Sequence, residues 1–321
     1  MNARTLALLL AAGASPLLLL AGEPGHAPAK STAKYAPAHS APAKASNTKA
    51  AADDTHAAPS AHDASPATHA TNTEASAAEP TTPDQVLTWL TEGNARWTSG
   101  TTKNPNSTAQ RRADTATNGQ HPRVTILTCA DSRLPVERIF DQGVGDLFVL
   151  RVAGNVITAT EAGTIEYGLE HLHTPLLVVM GHTKCGAVTA ACQTFANSDS
   201  PAPGNIGALL NEIHPAVDRA KATMNSTDPN TITPTAVVEN VWQSIFDVFQ
   251  SSPQTVQLVR EGKVKVVGAV CDISTGKVEF LGEHPWQSPL IEAFATIRNA
   301  TQPAHNSPTH ADAQPTHHDE H

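Results

Sequence analysis

Two short segments of the sequence hold side chains that bind metal ions. The first, C-A-D-S-R, begins at Cys129, and the second, G-H-T-K-C-G, contains His182 and Cys185. Thiolates and imidazoles are common protein ligands of zinc, and a zinc site with three such ligands leaves a fourth position for water. Cys129, His182 and Cys185 are therefore predicted to bind Zn²⁺.

A carboxylate and a guanidinium follow the first thiol, at Asp131 and Arg133. Zinc lowers the pKa of a bound water from about 15.7 to roughly 7, so a hydroxide nucleophile becomes available near neutral pH. Arg133 can pair with Asp131 through two hydrogen bonds, which would keep this carboxylate off the metal and ready to accept a hydrogen bond. Without the pairing, Asp131 itself would be able to close the site as a fourth ligand. Arg133 is thus the candidate for the residue that keeps the site open.

The central part of the chain, from Pro83 to Ala300, alternates apolar runs with helical patterns. This alternation predicts an α/β fold with a mainly parallel central sheet of about four strands plus an antiparallel edge strand, covered by helices. The predicted parallel strands are residues 123–128, 146–152, 176–181 and 264–271, and the predicted antiparallel strand is residues 277–281. Helices are predicted to open at Thr82 and to lie near residues 136–140, 160–173, 186–195, 206–222 and 235–250.

The predicted strands place the two motifs at the same edge of the sheet. Cys129 follows one strand and His182 follows another, and ligand sites in open parallel sheets lie at the carboxyl ends of the strands. Either motif alone is more typical of an ordinary loop, with Asp131 and Arg133 as a surface ion pair. Both motifs together favour a metal site, and three ligands rather than four favour a catalytic zinc over a structural one.

The two ends of the chain differ in composition from its central part. Residues 1–22 carry Arg4 before an apolar stretch that Gly13 and Pro16 interrupt, which predicts a signal peptide, with an uncleaved anchor as the alternative. Residues 23–80 and 301–321 are rich in small and polar residues, so they are predicted to form a disordered tether and a disordered His-rich tail. We therefore expect an exported protein, periplasmic or secreted, with no stable membrane span after cleavage and a folded domain at residues 81–300.

The net charge of the chain limits its possible partners, and its cysteines limit its possible disulfides. The formal net charge is −9, which argues against a nucleic-acid partner because such binding needs clustered Lys and Arg. Four cysteines in an exported chain are usually read as two disulfides. Two of them belong to the metal motifs, and the sequence leaves open whether the other two, Cys192 and Cys271, pair with each other.

The motifs resemble those of the β-class carbonic anhydrases. Over about Val86 to Leu281 the chain contains, in order, the runs G-N-A-R-W, C-A-D-S-R, R-V-A-G-N, T-I-E-Y and G-H-T-K-C-G. The resemblance implies zinc-dependent, reversible hydration of carbon dioxide to bicarbonate and a proton, with Asp131 and Arg133 as the catalytic dyad. It also implies a homodimer or homotetramer, because dimers are the family's minimum unit and tetramers are common, and it implies a pocket shared across a dimer interface.

By the same matching, the resemblance implies a substrate pocket lined by Gln120 and Tyr167, with Phe148 and Ala153 as its apolar wall. By residue type alone, Phe148 and Ala153 are more typical of the sheet core, and Gln120 of a loop. Trp97, in the opening helix, is predicted either to clasp a partner subunit or to cover the core of its own chain.

Some members of the family close the zinc with the aspartate and bind an inhibitory bicarbonate beside a tryptophan three residues before the first zinc cysteine. In this chain that position is Ile126, so the chain resembles the open group and no bicarbonate switch is expected. Export departs from the family's usual location, and zinc thiolates then have to survive an oxidising compartment.

Two other functions are compatible with the same sequence. Carbonyl sulfide and carbon disulfide resemble carbon dioxide and are hydrolysed by relatives, so pocket width decides among the three gases. Ten of the 16 histidines lie outside residues 83–300, and imidazoles in a disordered segment bind zinc, copper or nickel. These histidines suggest a zinc-capturing role, and the plain alternative is a pair of solvated tails.

Overall fold

The computed structural model describes residues 79–196, 202 and 204–301. The predicted signal peptide, nearly all of the predicted tether and the His-rich tail lie outside these residues, so their predictions stay untested. Among the described helices, none combines the length and the apolar character needed to cross a membrane.

A five-stranded sheet forms the centre of the described part of the chain. Its strands are β1 (Val124–Thr128), β2 (Leu147–Arg151), β3 (Leu176–His182), β4 (Lys265–Cys271) and β5 (Val278–Gly282), arranged in the order β2-β1-β3-β4-β5. The first four strands are parallel to one another, and β5 pairs antiparallel with β4 at one edge. The predicted α/β architecture and all five predicted strands are confirmed, and no strand bound differs by more than one residue.

Both faces of the sheet are covered, which explains why its central strands are continuous apolar runs. Every residue of β1 and β3 is buried, as expected for parallel strands enclosed on both sides. On β1, Ile126 belongs to one core layer together with Phe140, and Leu127 belongs to the opposite layer together with Ile245. The two polar residues of β1 both have hydrogen-bond partners: Thr128 Oγ1 donates to the Met180 carbonyl oxygen, and Thr125 Oγ1 shares a hydrogen bond with Thr174 Oγ1 at 2.7 Å.

The helices surround the sheet on both sides. Those with predicted counterparts are α1 (Pro83–Ser99), α3 (Val136–Ile139), α4 (Ala159–Glu166), α5 (Gly186–Ala196), α6 (Gly204–Met224) and α7 (Pro229–Ser251). The predicted helix over residues 160–173 changes its winding after α4 and continues as a π-helical turn, Tyr167–His171. The sequence predictions did not include α2 (Ala109–Asn118), α8 (Pro253–Arg260) and α9 (Gln287–Thr301).

There is a physical reason why α2 was not predicted from the sequence. This helix buries none of its residues, so its sequence carries no apolar stripe for a periodicity argument to detect. Its start is set instead by Thr108, whose hydroxyl accepts a hydrogen bond from the Arg111 backbone N–H. Capping by a threonine hydroxyl stabilises a helix end without leaving any mark on hydrophobic periodicity.

The opening helix α1 is fixed at both of its ends. Thr82 and Gln85 form a capping box at the N-terminus, which satisfies backbone N–H groups that have no partner inside the helix. Near the C-terminus, Trp97 is half-buried and its indole contacts the turn at Gly276. Trp97 therefore covers a turn of its own chain, and a contact between Trp97 and a partner subunit stays a prediction.

Replacing Gly93 of α1 with alanine should destabilise the protein. The new Cβ would overlap the backbone carbonyl oxygen of Phe140, so the helix would have to move away from the core. We expect a loss of roughly 1–3 kcal/mol in the free energy of unfolding, measurable by chemical denaturation. The matched control is Gly163→Ala in α4, because, apart from its chain neighbours and the backbone of its own helix, no described atom lies within 4 Å of the corresponding Cβ. That change should stabilise the protein by about 0.5–1 kcal/mol, and equal effects of the two changes would contradict the packing argument.

Asp247 on α7 should make the stability of the folded chain depend on pH. Burial raises the pKa of its carboxyl to about 7, with Glu212 adding to the effect and the hydrogen bond from Gln243 opposing it. Because the folded-state pKa is raised, the folded chain binds more protons than the unfolded chain between about pH 4 and pH 7. Stability should therefore fall as the pH rises through this window.

We expect Asp247→Asn to increase the free energy of unfolding at pH 8 by on the order of 3 kcal/mol, and to change it little at pH 4. The amide oxygen can still accept the hydrogen bond from Gln243. Urea denaturation at the two pH values measures the effect. Asp114→Asn is the control, because Asp114 accepts from Gln110 at the same four-residue spacing on an exposed surface. A similar gain in both variants would rule out burial as the cause.

Candidate metal centre

Two strand ends and one helix start bring the predicted zinc ligands together. Cys129 follows the last residue of β1, His182 is the last residue of β3, and Cys185 directly precedes α5. All three side chains are buried, and their ligand atoms lie within 4.8 Å of one another. β1 and β3 are adjacent and parallel, so their carboxyl ends meet at the edge where the sequence predicted a site.

The two thiols interact directly. Cys129 Sγ and Cys185 Sγ are 4.0 Å apart, about twice the length of a disulfide bond, and both cysteines are free. The hydrogen bond from Cys185 is the main cause that lowers the pKa of Cys129 below its usual value. The same contact raises the pKa of the Cys185 thiol far above its usual range, because a second thiolate would lie beside the first. A cation between the sulfurs would remove this repulsion, so the thiol pair fits a metal ion.

His182 presents one ring nitrogen to the thiols and anchors the other. Its Nδ1 is 3.0 Å from the Thr183 carbonyl oxygen, and only a protonated Nδ1 can donate to that acceptor. Nε2 then carries a free electron pair. This atom is buried and has no hydrogen-bond partner in the part of the chain that the structure describes. Such an orphaned nitrogen beside two thiols is what a zinc ligand set requires.

Asp131 lies beside the three ligands but is held by Arg133. Arg133 Nε donates to Asp131 Oδ1 at 2.9 Å, and Nη2 donates to Oδ2 at 2.6 Å. These hydrogen bonds lower the pKa of Asp131 well below its usual range, so the carboxylate is ionised at neutral pH. Asp131 Oδ2 is 3.9 Å from His182 Nε2. The bidentate pairing that the sequence predicted is therefore present in the structure.

Arg151 fixes the loop that carries Cys129 and Asp131. Its Nε donates to the Cys129 carbonyl oxygen at 3.3 Å, and its Nη2 donates to the Asp131 carbonyl oxygen at 2.5 Å. Arg151 begins the R-V-A-G-N run that resembles the family, but no chemical role was predicted for it from the sequence. Its position at the end of β2, beside β1 in a parallel pair, is the signal that would have suggested this contact.

A backbone donor also reaches the first thiol. The Gly154 N–H donates to Cys129 Sγ at 3.3 Å, from a 3₁₀ turn formed by Ala153–Asn155. This hydrogen bond contributes to the low pKa of Cys129. Sequence reasoning missed the contact, because a backbone N–H is present at nearly every residue and its direction depends on the turn.

The residues predicted to line the substrate pocket are only partly brought together. The rings of Phe148 and Tyr167 have centroids 6.0 Å apart, with Phe148 half-buried and Tyr167 exposed. Ala153 opens the 3₁₀ turn beside Cys129. Gln120 is exposed in the connection between α2 and β1. Contact of these residues with a substrate remains a prediction.

The two remaining cysteines do not form a disulfide. Cys192 on α5 and Cys271 on β4 are both buried and free. Burial raises the pKa of each thiol, to about 11 for Cys271. Both residues also belong to the apolar core. They behave as small core residues, which answers the question that the sequence left open.

Sequence comparison relates this chain to known proteins. The sequence profile described as "Carbonic anhydrase" matches residues 124–278. Over 134 residues the chain is 42% identical to carbonic anhydrase 2 of Mycobacterium tuberculosis, a match that covers 41% of this chain and 64% of the relative. Over 197 residues it is 32% identical to a carbonic anhydrase of Mycolicibacterium smegmatis, which covers 60% of this chain and 92% of the relative. The chain thus spans just under two thirds of the first relative and nearly all of the second.

Structure comparison leads to the same group of proteins. The fold is similar to the crystal structure of the β-carbonic anhydrase CafA of Aspergillus fumigatus, with a TM-score of 0.52. The sequences are 23% identical, and the match covers 67% of this chain and 97% of that chain. At this level of identity the likeness concerns the fold.

Proposed function

Because this chain belongs to the β-class carbonic anhydrase family, we propose that it binds zinc and catalyses the reversible hydration of carbon dioxide to bicarbonate and a proton. One observation carries the proposal. Two thiols and an imidazole nitrogen that has no hydrogen-bond partner among the described residues lie within 4.8 Å of one another. Both oxygens of the neighbouring carboxylate accept hydrogen bonds from Arg133.

Each ligand side chain has a defined part in this proposal. Cys129 and Cys185 supply two thiolates, and His182 supplies Nε2 because its Nδ1 donates to the Thr183 carbonyl oxygen. When bound, zinc activates water as a nucleophile near neutral pH. The ligand set has three members, so it leaves the open position that distinguishes catalytic from structural zinc sites.

Asp131 and Arg133 orient the reactants. The Asp131 carboxylate is ionised at neutral pH and accepts a hydrogen bond from the attacking water, which directs the oxygen's electron pair toward the carbon of carbon dioxide. Arg133 holds the carboxylate in this position and keeps it from becoming a fourth ligand. Arg133 Nη2 also donates to the Lys184 carbonyl oxygen at 3.2 Å, so the pair links the Cys129 loop to the loop before Cys185.

The pocket, the assembly and the location are part of the proposal. Phe148 and Ala153 are proposed to form the apolar wall and Tyr167 and Gln120 to contact the substrate, with the pocket completed across a homodimer or homotetramer. Tyr167 is 48% exposed, which supports a role at a shared pocket. We further propose export through residues 1–22, which is supported by their composition.

Zinc analysis combined with stopped-flow kinetics tests the function. The purified full chain should contain zinc in a one-to-one ratio and should hydrate carbon dioxide rapidly at pH 8. Initial rates with carbonyl sulfide and carbon disulfide should be measured on the same preparation. Negligible hydration of carbon dioxide by the zinc-loaded chain would refute the proposal, and rapid turnover of either sulfur gas would then identify the alternative substrate.

A further inference from the structure

The turn that donates to Cys129 has an unusual backbone. Gly154 has a φ of 72° and Asn155 has a φ of 46°, so two successive residues adopt the left-handed conformation. Glycine adopts this conformation readily, but asparagine does so at a cost in free energy. A strained turn of this kind persists only when its surroundings hold it in place. The Gly154 N–H therefore points at Cys129 Sγ only while some other group restrains the turn.

Two polar side chains of α7 restrain the Gly154–Asn155 turn. Asn240 Nδ2 donates to the Gly154 carbonyl oxygen at 2.7 Å. Ser244 Oγ lies 2.8 Å from the Asn155 carbonyl oxygen and 2.9 Å from the Asn240 carbonyl oxygen, so these two acceptors share its one proton. Ser244 Oγ also accepts from Asn155 Nδ2 at 3.3 Å. Asn240, Ser244 and Asn155 are all only 1% exposed. The carbonyl groups of both left-handed residues are thus held by one helix.

The buried side-chain amide of Asn240 lowers the stability of the folded protein in one respect. Its Oδ1 is buried and has no hydrogen-bond partner among the residues that the structure describes. A buried, unpaired polar atom destabilises a folded protein, and a leucine of similar size would avoid this penalty. Leucine, however, cannot donate to the Gly154 carbonyl oxygen. The Nδ2 donor is therefore what asparagine contributes at position 240 and leucine could not.

We propose that Asn240 and Ser244 are positioning residues of the zinc site, which hold the Gly154–Asn155 turn so that its N–H donates to the Cys129 thiolate. An N–H donor fixes the orientation of the sulfur and withdraws electron density from it, and both effects change how strongly the thiolate binds a metal. The inference rests on the proposed function, because it assigns these residues a role toward zinc.

Metal binding by two variants and a matched control tests the inference. The variants are Asn240→Leu and Ser244→Ala, and the control is Ser252→Ala. Ser252 is also fully buried and lies just after α7, but it donates to Glu166 and caps α8, away from the zinc ligands. For each protein, zinc affinity is measured by competition with a chromogenic chelator, and the cobalt(II) form is examined by absorption spectroscopy.

Both α7 variants should bind zinc roughly 10 to 100 times more weakly than the parent chain. The sulfur-to-cobalt charge-transfer band should move to longer wavelength, since the thiolate that loses its N–H donor releases electrons more easily. Ser252→Ala should lower the midpoint of thermal unfolding and leave both the zinc affinity and the cobalt spectrum unchanged. A merely structural role of α7 would not move the cobalt spectrum.

Parental zinc affinity and an unshifted cobalt band in Ser244→Ala would overturn the inference, as would equal changes in Ser244→Ala and Ser252→Ala. Ser244→Ala removes little volume, so it keeps the test decisive even where Asn240→Leu fails to fold. A parent chain that binds neither zinc nor cobalt would overturn the proposed function itself, and the inference with it. Failure of the inference alone is therefore distinguishable from failure of the proposed function.

Discussion

Replacing Cys185 with alanine should abolish zinc binding and, with it, hydration of carbon dioxide. The change removes one of the three ligand atoms that cluster among the described residues, and it leaves Cys129 and His182 as an incomplete pair. Because zinc sites in proteins need at least three protein ligands, we expect the purified variant to contain almost no zinc. Elemental analysis and stopped-flow measurement of hydration check the two expectations on one sample.

Cys192→Ala is the matched control for this loss. Cys192 is likewise a buried, free cysteine, and it lies in α5, seven residues after Cys185. Its side chain belongs to the apolar core, so its truncation should cost about 1 kcal/mol of stability and leave zinc content and turnover at parental values. A Cys185→Ala protein that keeps its zinc would contradict the assignment of the metal centre.

Asp131→Asn should separate metal binding from catalysis. Its oxygens accept hydrogen bonds from Arg133, and the side chain is not a member of the three-residue ligand cluster, so zinc content should stay at the parental value. An amide presents only one acceptor oxygen and no charge, so it orients the attacking water poorly. We expect turnover to fall by about 100-fold near neutral pH, measured by stopped-flow hydration.

The pH profile adds a second expectation for Asp131. Arg133 holds the pKa of this carboxyl well below its usual range, so the carboxylate remains ionised from acid to alkaline pH. Protonation of Asp131 should therefore not appear as a transition in the activity profile between pH 6 and pH 9. If the parent chain shows any transition in this pH range, another group must cause it. The same transition should then appear in Asp131→Asn, at the reduced rate.

Asp228→Asn serves as the control for the Asp131 variant. Asp228 caps α7 at the helix N-terminus, and asparagine is an equally good residue at that position. Zinc content, turnover and stability should all match the parent chain. Full activity in Asp131→Asn would remove the proposed role of the dyad, whereas loss of zinc in that variant would show that Asp131 helps to hold the metal.

The resemblance to the family and the identity of the candidate metal ligands could both be predicted from the sequence, because both depend on residue types and short spacings. Cys129, Asp131 and Arg133 lie within five residues, and a carboxylate two residues from a guanidinium forms the observed pair within one loop. The strands were also predictable, because burial on both faces produces continuous apolar runs such as β1 and β3.

Other features escaped the sequence because they leave no local pattern. The exposed helix α2 buries no side chain, and the free state of Cys192 and Cys271 depends on where their elements pack. The donors around Cys129 are further examples. Arg151 reaches the loop from an adjacent strand, and Gly154 donates through a backbone N–H.

The sequence by itself determined which side chains form the candidate site, since three ligands and a dyad are recognisable from their types, their spacing and the strand ends that carry them. Only the tertiary structure decided how these groups are held. Asn240 and Ser244 lie 86 and 89 residues beyond the groups that they contact, and α7 brings them there by packing against the sheet. Hydrogen bonds between distant segments depend on the direction of each donor in space, which the order of residues along the chain does not specify.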